Sequence, residues 1–246
     1  MTQTLALRDY VSAGLKTIRL DDYFPNMIAG DTNSCGWPHL RRNSPHTWYC
    51  DQRVAGVGFL NRDEAHILYN TALRFSGADA LEVGCFMGWS ACHLAAGGVR
   101  LDVIDPLLAN PNVVNSVAES LGGAGVRQRV TLHAAASPDA VHALGRQGKR
   151  WSLIFIDGDH EFPGPMRDAA ACERYAAADA AILFHDVNAP AVAEGVYFLK
   201  DRGWNVRLYH TSQIMAVAWR GSVEPLDHLP DPQAAWPIPD HLKAAA

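Results

Sequence analysis

Short apolar runs alternate with longer amphipathic stretches over most of the chain, and this alternation predicts strands that are followed by helices. The runs that predict strands lie at 80–83, 100–104, 130–133, 151–156 and 180–184, with a closing pair at 206–210 and 214–219. The stretches that predict helices lie at 89–96, 111–122, 164–178 and 189–202. Two further helices are predicted to begin at Asn61, with Glu64 completing a capping box, and at Ser137, whose hydroxyl is expected to cap the helix. Such alternation favours an α/β fold with a doubly wound, mostly parallel seven-stranded sheet. The closing strands have no helix between them, so we expect the last strand pair to be antiparallel.

The hydrophobic pattern divides the chain into three parts. Residues 61–220 carry the alternation and form the main predicted domain, and residues 221–246 form a proline-rich tail. In residues 1–60, an amphipathic helix is predicted over 4–19, and the segment 21–60 has no sustained period. Because aromatic side chains in 21–60 argue against disorder, we predict a partly ordered lid over a functional site. The alternative is an arm that packs on a partner subunit, which would suit a homodimer.

Composition and charge argue against several classes of function. The apolar fraction is 48% and the charged fraction 19%, as in soluble globular proteins, while the net charge of −5 argues against nucleic-acid binding. No uninterrupted apolar run approaches about 18 residues, so no membrane span is expected. The stretch from Met1 to Tyr10 lacks the charged start and apolar core of a signal peptide, and the five cysteines lie mostly in apolar runs. We therefore expect a cytoplasmic protein with reduced cysteines.

A glycine turn follows the strand at 80–83, bracketed by Gly84 and Gly88 and followed by a helix. This arrangement brings backbone N–H groups and a helix N-terminus to a ligand. Glu82, at the end of the strand, would repel a pyrophosphate and attract a cation, and the glycine spacing differs from the dinucleotide fingerprint. Asp105 ends the next strand about 20 residues on, where an acid accepts hydrogen bonds from a ribose diol, although it could simply cap the following turn. These residues predict a nucleoside ligand without an anionic far end.

Polar residues also follow the later strands. Ser137 follows the third strand, Asp157 and His160 follow the fourth, and His185 and Asp186 follow the fifth. Right-handed crossovers place the carboxyl end of every parallel strand at one edge of the sheet, so we expect these side chains to share a site. The alternatives are that the two carboxylates cap loops and that His160 is a structural hydrogen-bonding group at a helix entrance.

The segment 21–60 holds two further groups of candidate residues. Four potential zinc ligands lie in symmetrical spacing, but their separations do not match the usual zinc-finger or zinc-ribbon spacings, so we favour chance placement. They are Cys35, His39, His46 and Cys50. Three aromatic residues could stack on a flat ligand, with packing as the alternative. They are Trp37, Trp48 and Tyr49.

The sequence at 81–90 resembles the first motif of class I S-adenosylmethionine-dependent methyltransferases. It is specifically similar to the small-molecule O-methyltransferases typified by catechol and caffeoyl-coenzyme A O-methyltransferase. The stretches 130–139, 153–160 and 184–187 resemble later motifs of that group. Two short motifs, Asp-Gly-Asp-His at 157–160 and His-Asp at 185–186, most resemble those of one bacterial branch of the family. That branch includes macrocin O-methyltransferase-like and cephalosporin-type tailoring enzymes. The resemblance covers about residues 55–220 and implies a Rossmann-like methyltransferase fold.

The resemblance also implies a set of cofactor-binding residues for S-adenosyl-L-methionine. In the family, the first motif holds the methionine part, an acid at the second strand holds the ribose, and a residue after the third strand lies at the adenine edge. The residues that match these positions are Glu82, Gly84, Gly88, Ser90, Asp105 and Ser137.

A divalent cation is the second cofactor that the resemblance implies. Asp157 and Asp186 would bind it, with His185 as the third protein ligand, and His160 lies where the catechol enzymes carry a catalytic lysine. Carboxylates suit Mg²⁺, whereas an imidazole ligand would shift the preference toward Mn²⁺, Fe²⁺ or Zn²⁺. His160 and Asp157 are thus the candidate catalytic residues, because an imidazole can take a proton at neutral pH.

The resulting hypothesis is cation-assisted transfer of a methyl group to a hydroxyl of a small molecule, such as a sugar, a phenol or a natural-product scaffold. Displacement at a sulfonium depends on positioning, and a bound cation lowers the pKa of the acceptor hydroxyl. One alternative is a metal-dependent hydroxylase, in which a histidine and two carboxylates bind iron. The adjacency of His185 and Asp186 argues against that alternative. Another alternative is a nucleoside-binding module without catalytic activity. The complete set of polar residues at the strand ends argues against it.

Overall fold

The computed structural model describes three long stretches of the chain and three short pairs of residues. The stretches are 10–24, 60–232 and 237–244, and the backbone is also described at 28–29, 49–50 and 57–58. The candidate zinc ligands Cys35, His39 and His46 and the aromatic residues Trp37 and Trp48 lie outside the described residues. The side chains of Tyr49 and Cys50 also lie outside them.

Two sheets are formed by the described residues. A small antiparallel sheet contains β1 (Ile28–Ala29), β2 (Tyr49–Cys50) and β3 (Val57–Gly58) in sequence order. The main sheet contains β4 (Asp79–Val83), β5 (Arg100–Ile104), β6 (Val130–His133), β7 (Trp151–Ile156), β8 (Ala176–Phe184), β9 (Asn205–Tyr209) and β10 (Met215–Arg220).

The main sheet has seven strands in the order β6-β5-β4-β7-β8-β10-β9. Strands β4 to β8 are parallel to one another, and β10 pairs antiparallel with both β8 and β9. The predicted mostly parallel, seven-stranded sheet with an antiparallel last pair is therefore confirmed. The chain order reverses between β4 and β7, which is the point at which ligands bind in doubly wound sheets.

Helices cover both faces of the main sheet. They are α1 (Arg62–Arg74), α2 (Trp89–Ala96), α3 (Pro111–Gly123), α4 (Asp139–Arg146), α5 (Gly164–Tyr175) and α6 (Pro190–Asp201). Alternate residues along each strand pack into two hydrophobic cores, one on each face of the sheet. In β7, Leu153 and Phe155 pack with α1 to α3, whereas Ile154 and Ile156 pack with α4 to α6. Burial on both faces explains why these strands are continuous apolar runs. Within the described ranges, no helix is both long and apolar enough to cross a membrane.

Helix α1 begins with the capping box that its sequence predicts. The Asn61 side chain accepts a hydrogen bond from the Glu64 backbone N–H at 2.9 Å, and Glu64 Oε2 accepts one from the Asn61 N–H at 2.9 Å. Two N–H groups that have no partner within the helix are thereby satisfied.

The predicted helix over 4–19 is wrong for the residues that the structure describes, 10–19, which contain no helix. This segment instead runs along α1, whose polar side chains accept hydrogen bonds from its backbone. The pairs are Ser12 N–H to Asp63 Oδ1 at 2.8 Å, Lys16 N–H to Asn70 Oδ1 at 2.8 Å and Ile18 N–H to His66 Nε2 at 3.1 Å. These hydrogen bonds to α1 replace the ones that residues 10–19 would form within a helix of their own. The segment therefore does not adopt the helix that the spacing of its apolar residues predicts.

The boundary between α5 and β8 also differs from the expected one. The predicted helix extended to 178, but α5 ends at Tyr175, and Ala176 already pairs with Trp151 of β7 across an irregularity in the register. The Arg220 guanidinium donates hydrogen bonds to the carbonyl groups of Ala176 and Ala177 at 2.9 Å. These contacts hold an alanine-rich stretch in strand geometry despite its helix propensity.

Candidate active site

The glycine turn joins β4 to α2 and lies at the reversal point of the sheet. Gly84 and Gly88 both have positive φ angles, +83° and +85°, and Gly88 is the N-cap of α2. A Cβ atom on Gly84 would lie 2.2 Å from the carbonyl oxygen of Asp157. The ends of β4 and β7 therefore approach so closely that only glycine fits at this position.

Replacement of Gly84 by alanine should destabilise the protein by about 4 kcal/mol or more, because backbone strain adds to a clash with backbone atoms. Gly148 is a matched control, since its φ is +97° and an added Cβ would meet nothing within 4 Å. Gly148→Ala should cost only the strain, about 1–2 kcal/mol. Urea unfolding of both variants measures the difference, and equal losses would refute the close approach.

Asp105 shapes the same turn from the end of β5. Its Oδ2 accepts hydrogen bonds from the Cys85 and Phe86 N–H groups, each at 2.9 Å, and its Oδ1 accepts one from the Leu107 N–H at 2.8 Å. Phe86 has a φ of +44°, so this carboxylate stabilises a strained backbone. The turn-capping role is thus present in the structure, and the ribose-binding role of Asp105 stays a prediction.

Glu82 is a fully buried acid at the end of β4, with an exposed fraction of 0%. Neither of its carboxylate oxygens has a hydrogen-bond partner among the described residues. Burial raises the pKa of Glu82 well above its ordinary value; the hydroxyl of Ser90, buried in the first turn of α2, opposes the shift, and the charges of Asp157 and Asp105 add to it. A buried carboxylate without a partner is costly unless a cation compensates it.

Ser137 lies before α4 and was expected to cap that helix. The cap prediction is wrong, because α4 begins at Asp139 after Pro138 and the helix has no side-chain cap. The Ser137 hydroxyl instead donates a hydrogen bond to Asp168 Oδ1 at 2.5 Å. This contact crosses from the loop after β6 to α5, and neither spacing nor periodicity in the sequence indicates it. The adenine-edge role of Ser137 stays a prediction.

Asp168 gives the protein a pH-dependent element of stability. Burial raises its pKa to about 6, with Ser137 opposing and the charge of Asp159 adding to the shift. Because the folded pKa exceeds the unfolded one, the stabilisation is complete below about pH 4 and is lost as the pH rises through 6. Asp168→Asn should therefore remove about 2–3 kcal/mol of pH dependence between pH 4 and pH 7.

Urea unfolding at a series of pH values measures this difference in the free energy of unfolding. The exposed Asp201 on α6 supplies the control, since Asp201→Asn should leave the pH profile of the parent protein unchanged. A parallel profile for Asp168→Asn and Asp201→Asn would contradict the prediction.

A cluster of potential metal ligands lies at the carboxyl ends of β7 and β8. Asp157, His160 and Asp186 each offer one ligand atom, and these atoms lie within 4.8 Å of one another. His160 Nε2 is 2.9 Å from Asp186 Oδ2 and 3.6 Å from Asp157 Oδ1. Asp186 has a φ of +54°, a conformation that aspartate and asparagine tolerate better than most residues. The structure thus brings together three residues that the sequence pattern placed at two strand ends.

His185 lies behind this cluster and is buried. Its Nδ1 is 3.3 Å from Asp186 Oδ2 and 3.5 Å from Asp157 Oδ1. Its Nε2 is 3.2 Å from Oε2 of Glu64, which the sequence indicated only as a helix cap. Nothing in the local sequence places Glu64 here, because the contact joins residues more than a hundred positions apart.

The two imidazoles are held in their charged form by the surrounding carboxylates. Burial alone would lower the pKa of His160, but its contacts with Asp157 and Asp186 raise the pKa to about 10. Burial would also lower the pKa of His185, but Asp186, Asp157 and Glu64 raise it well above its ordinary value. Within the described part of the chain, the carboxylates of the cluster face imidazole groups that bind protons, and metal binding at such a site releases protons.

Residues 81–187 match a protein family described as a methyltransferase domain. This stretch of the chain is thus similar to a methyltransferase domain. The matched range runs from β4, through the glycine turn, to the residue after Asp186, so it contains the carboxylates of the site described above. It confirms the methyltransferase resemblance of the sequence. No curated protein matches the chain.

Solved structures share the fold of this chain. The O-methyltransferase TomG from Streptomyces achromogenes, involved in tomaymycin synthesis and in complex with SAM, has 19% identity and a TM-score of 0.56, covering 66% of this chain and 83% of that one. The O-methyltransferase from Bacillus cereus in complex with SAH has 14% identity and a TM-score of 0.54, covering 64% and 80%. Cofactor-bound Rv0187 from MTB has 20% identity and a TM-score of 0.53, covering 63% and 78%. The expected Rossmann-like methyltransferase fold is confirmed.

Proposed function

We propose that this protein is an S-adenosylmethionine-dependent O-methyltransferase that uses a divalent cation and acts on a hydroxyl of a small molecule. The observation that carries the proposal is the pairing, at one sheet edge, of a three-ligand cluster with a buried acid, Glu82, that has no positively charged partner among the described residues. The matched methyltransferase domain supports the reaction class. The structures of TomG with SAM and of the Bacillus cereus O-methyltransferase with SAH support the choice of cofactor and acceptor atom.

The residues around the glycine turn fit the proposed cofactor. Both oxygens of Glu82 lack partners among the described residues, and the methionine part of S-adenosylmethionine brings an ammonium and a sulfonium. Gly84 and Gly88 keep side-chain atoms out of the turn, and the N-terminus of α2 supplies backbone N–H groups beside it. Glu82 would therefore orient the cationic end of the cofactor beside the cluster.

The cluster also fits a divalent cation, with one revision of the expected ligand set. The resemblance implied His185 as the third ligand, and its Nδ1 lies 3.3 Å from Asp186 and 3.5 Å from Asp157. The three ligand atoms that lie within 4.8 Å of one another, however, belong to Asp157, His160 and Asp186. We therefore propose Asp157, His160 and Asp186 as the ligands. Two carboxylates and one imidazole accommodate Mg²⁺ or Mn²⁺.

The ligand set decides how the acceptor is activated. The cation, when bound, would lower the pKa of the acceptor hydroxyl. Nε2 of His160 cannot both bind a cation and take a proton, so we propose His160 as a ligand and release of the acceptor proton to solvent. Asp157 and Asp186 would fix the position of the acceptor oxygen relative to the methyl donor, and this alignment supplies much of the rate in an in-line displacement.

Methyl transfer from labelled S-adenosylmethionine to a panel of hydroxylated small molecules tests the proposal. We expect turnover that chelation abolishes and that added Mg²⁺ or Mn²⁺ restores. Unchanged turnover after rigorous chelation would refute the role of the cation. The hydroxylase alternative receives less support, because the cluster has one imidazole and two carboxylates, the reverse of the usual facial triad of iron oxygenases.

A further inference from the structure

Glu64 is a buried acid that reaches the candidate cation site from outside the matched methyltransferase domain. It lies in the first turn of α1, has an exposed fraction of 0%, and uses both oxygens. Oε2 accepts the Asn61 N–H at 2.9 Å, and Oε1 accepts the Gln213 N–H, from the loop before β10, at 3.1 Å. Oε2 also lies 3.2 Å from His185 Nε2.

Capping alone does not account for this placement. A helix cap contributes about 1 kcal/mol, and a glutamate in a capping box can stay in water while it accepts the N-cap N–H. Removal of a carboxylate from water costs several kcal/mol unless a positive partner and further hydrogen bonds compensate it. Beyond the two N–H groups, the side chain that the structure places against Glu64 among the described residues is the imidazole of His185, with Nε2 at 3.2 Å from Oε2.

His185 connects Glu64 to the ligand carboxylates. One ring nitrogen faces Glu64, and the other lies 3.3 Å from Asp186 and 3.5 Å from Asp157. The Glu64 carboxylate, 3.2 Å from Nε2, restricts the position of the ring, and Nδ1 lies on the side of the other two carboxylates. The result is a row of carboxylate, imidazole and two carboxylates that runs from α1 to the site and is buried except at Asp157.

We propose that Glu64 is a positioning residue for the cation site, which it stabilises by holding His185 against Asp157 and Asp186. This inference rests on the proposed cation-dependent function and deepens it. Glu64 does not touch the cation; it acts through His185, which keeps the two ligand carboxylates in the orientation that the cation requires. Outer contacts of this kind typically contribute 10–100-fold to metal affinity.

The test compares Mn²⁺ affinity in two variants of the full chain. Glu64→Gln keeps the shape of the side chain and one carbonyl oxygen for capping, but it removes the charge that faces His185. We expect it to bind Mn²⁺ roughly 10–100-fold more weakly than the parent protein. Electron paramagnetic resonance of free Mn²⁺ in a titration measures the affinity without any need for turnover.

Asn61→Ala is the matched control, because it breaks the same capping box and leaves Glu64 against His185. It should lose comparable thermal stability while its Mn²⁺ affinity stays within about twofold, a difference that a purely structural role of Glu64 would not produce. If Glu64→Gln does not fold, Glu64→Asp keeps the charge but withdraws it from His185 by one methylene, and it should also weaken Mn²⁺ binding.

The outcomes separate this inference from the function on which it rests. Equal Mn²⁺ affinity in the Glu64 variant and in Asn61→Ala would overturn the positioning role and leave the proposed function standing. No Mn²⁺ binding by the parent protein would overturn both. A selective loss in the Glu64 variant would support both.

Discussion

Replacement of Asp186 by asparagine is expected to lower methyl transfer by roughly 10²–10⁴-fold, since several kcal/mol of charge stabilisation at the acceptor oxygen would be lost with the cation. The variant isolates the charge, because asparagine tolerates the positive φ of +54° at this position as well as aspartate does. Initial rates at saturating S-adenosylmethionine and Mg²⁺ measure the loss.

Two further measurements show whether the loss has the proposed cause. S-adenosylmethionine should still bind to the Asp186→Asn variant, because Glu82 and the glycine turn remain intact. The variant should also be less stable at neutral pH, since His160 and His185 lose a carboxylate that lies 2.9 Å and 3.3 Å from their ring nitrogens. A rate within threefold of the parent rate would contradict a cation at this site.

Replacement of Glu82 by glutamine is expected to weaken S-adenosylmethionine binding by roughly 10–100-fold, because a hydrogen bond to a charged group contributes about 1.5–3 kcal/mol. Without ligand, the variant should be no less stable than the parent, since burial of an unpartnered carboxylate opposes folding. Calorimetric titration and thermal unfolding measure the two effects on the same preparation.

The exposed Glu194 on α6 provides the control for Glu82. Glu194→Gln removes the same charge from the surface, and it should change neither cofactor affinity nor thermal stability appreciably. Unaltered affinity in Glu82→Gln would mean that this acid does not face the cofactor.

The central strands could be predicted because their residues are buried on both faces and turn residues bound them. The run at 151–156 has the same bounds as β7, and 130–133 and 100–104 have those of β6 and β5. The location of the site at the carboxyl edge of the sheet could also be predicted, because right-handed crossovers place all the parallel strand ends there. This rule alone predicts that Asp157 and Asp186 lie close together, as they do.

The features that could not be predicted depend on partners distant in sequence. Residues 10–19 carry apolar residues at helical spacing, but their backbone bonds to side chains of α1. Ser137 has the position of a cap and bonds to Asp168 instead. Local sequence patterns indicate the secondary structure that an isolated segment prefers. Hydrogen bonds to residues distant in sequence determine the conformation that it adopts in the folded protein.

The third ligand illustrates the same limit. The resemblance implied His185 and Asp186 as ligands. In the structure, the Asp186 carboxylate lies 2.9 Å from His160 Nε2 and 3.3 Å from His185 Nδ1, and His185 Nε2 lies 3.2 Å from Glu64. The sequence pattern gives no sign of these distances, because they depend on how the loop after β7 and helix α1 pack against the end of β8.

The central claim is that the edge of the sheet around Glu82 binds S-adenosylmethionine. Calorimetric titration of the parent protein with S-adenosylhomocysteine, the product form of that cofactor, tests it most directly. We expect saturable binding of one molecule per chain and a rise in the unfolding temperature with ligand concentration. No heat of binding and no shift in the unfolding temperature at millimolar ligand would contradict it.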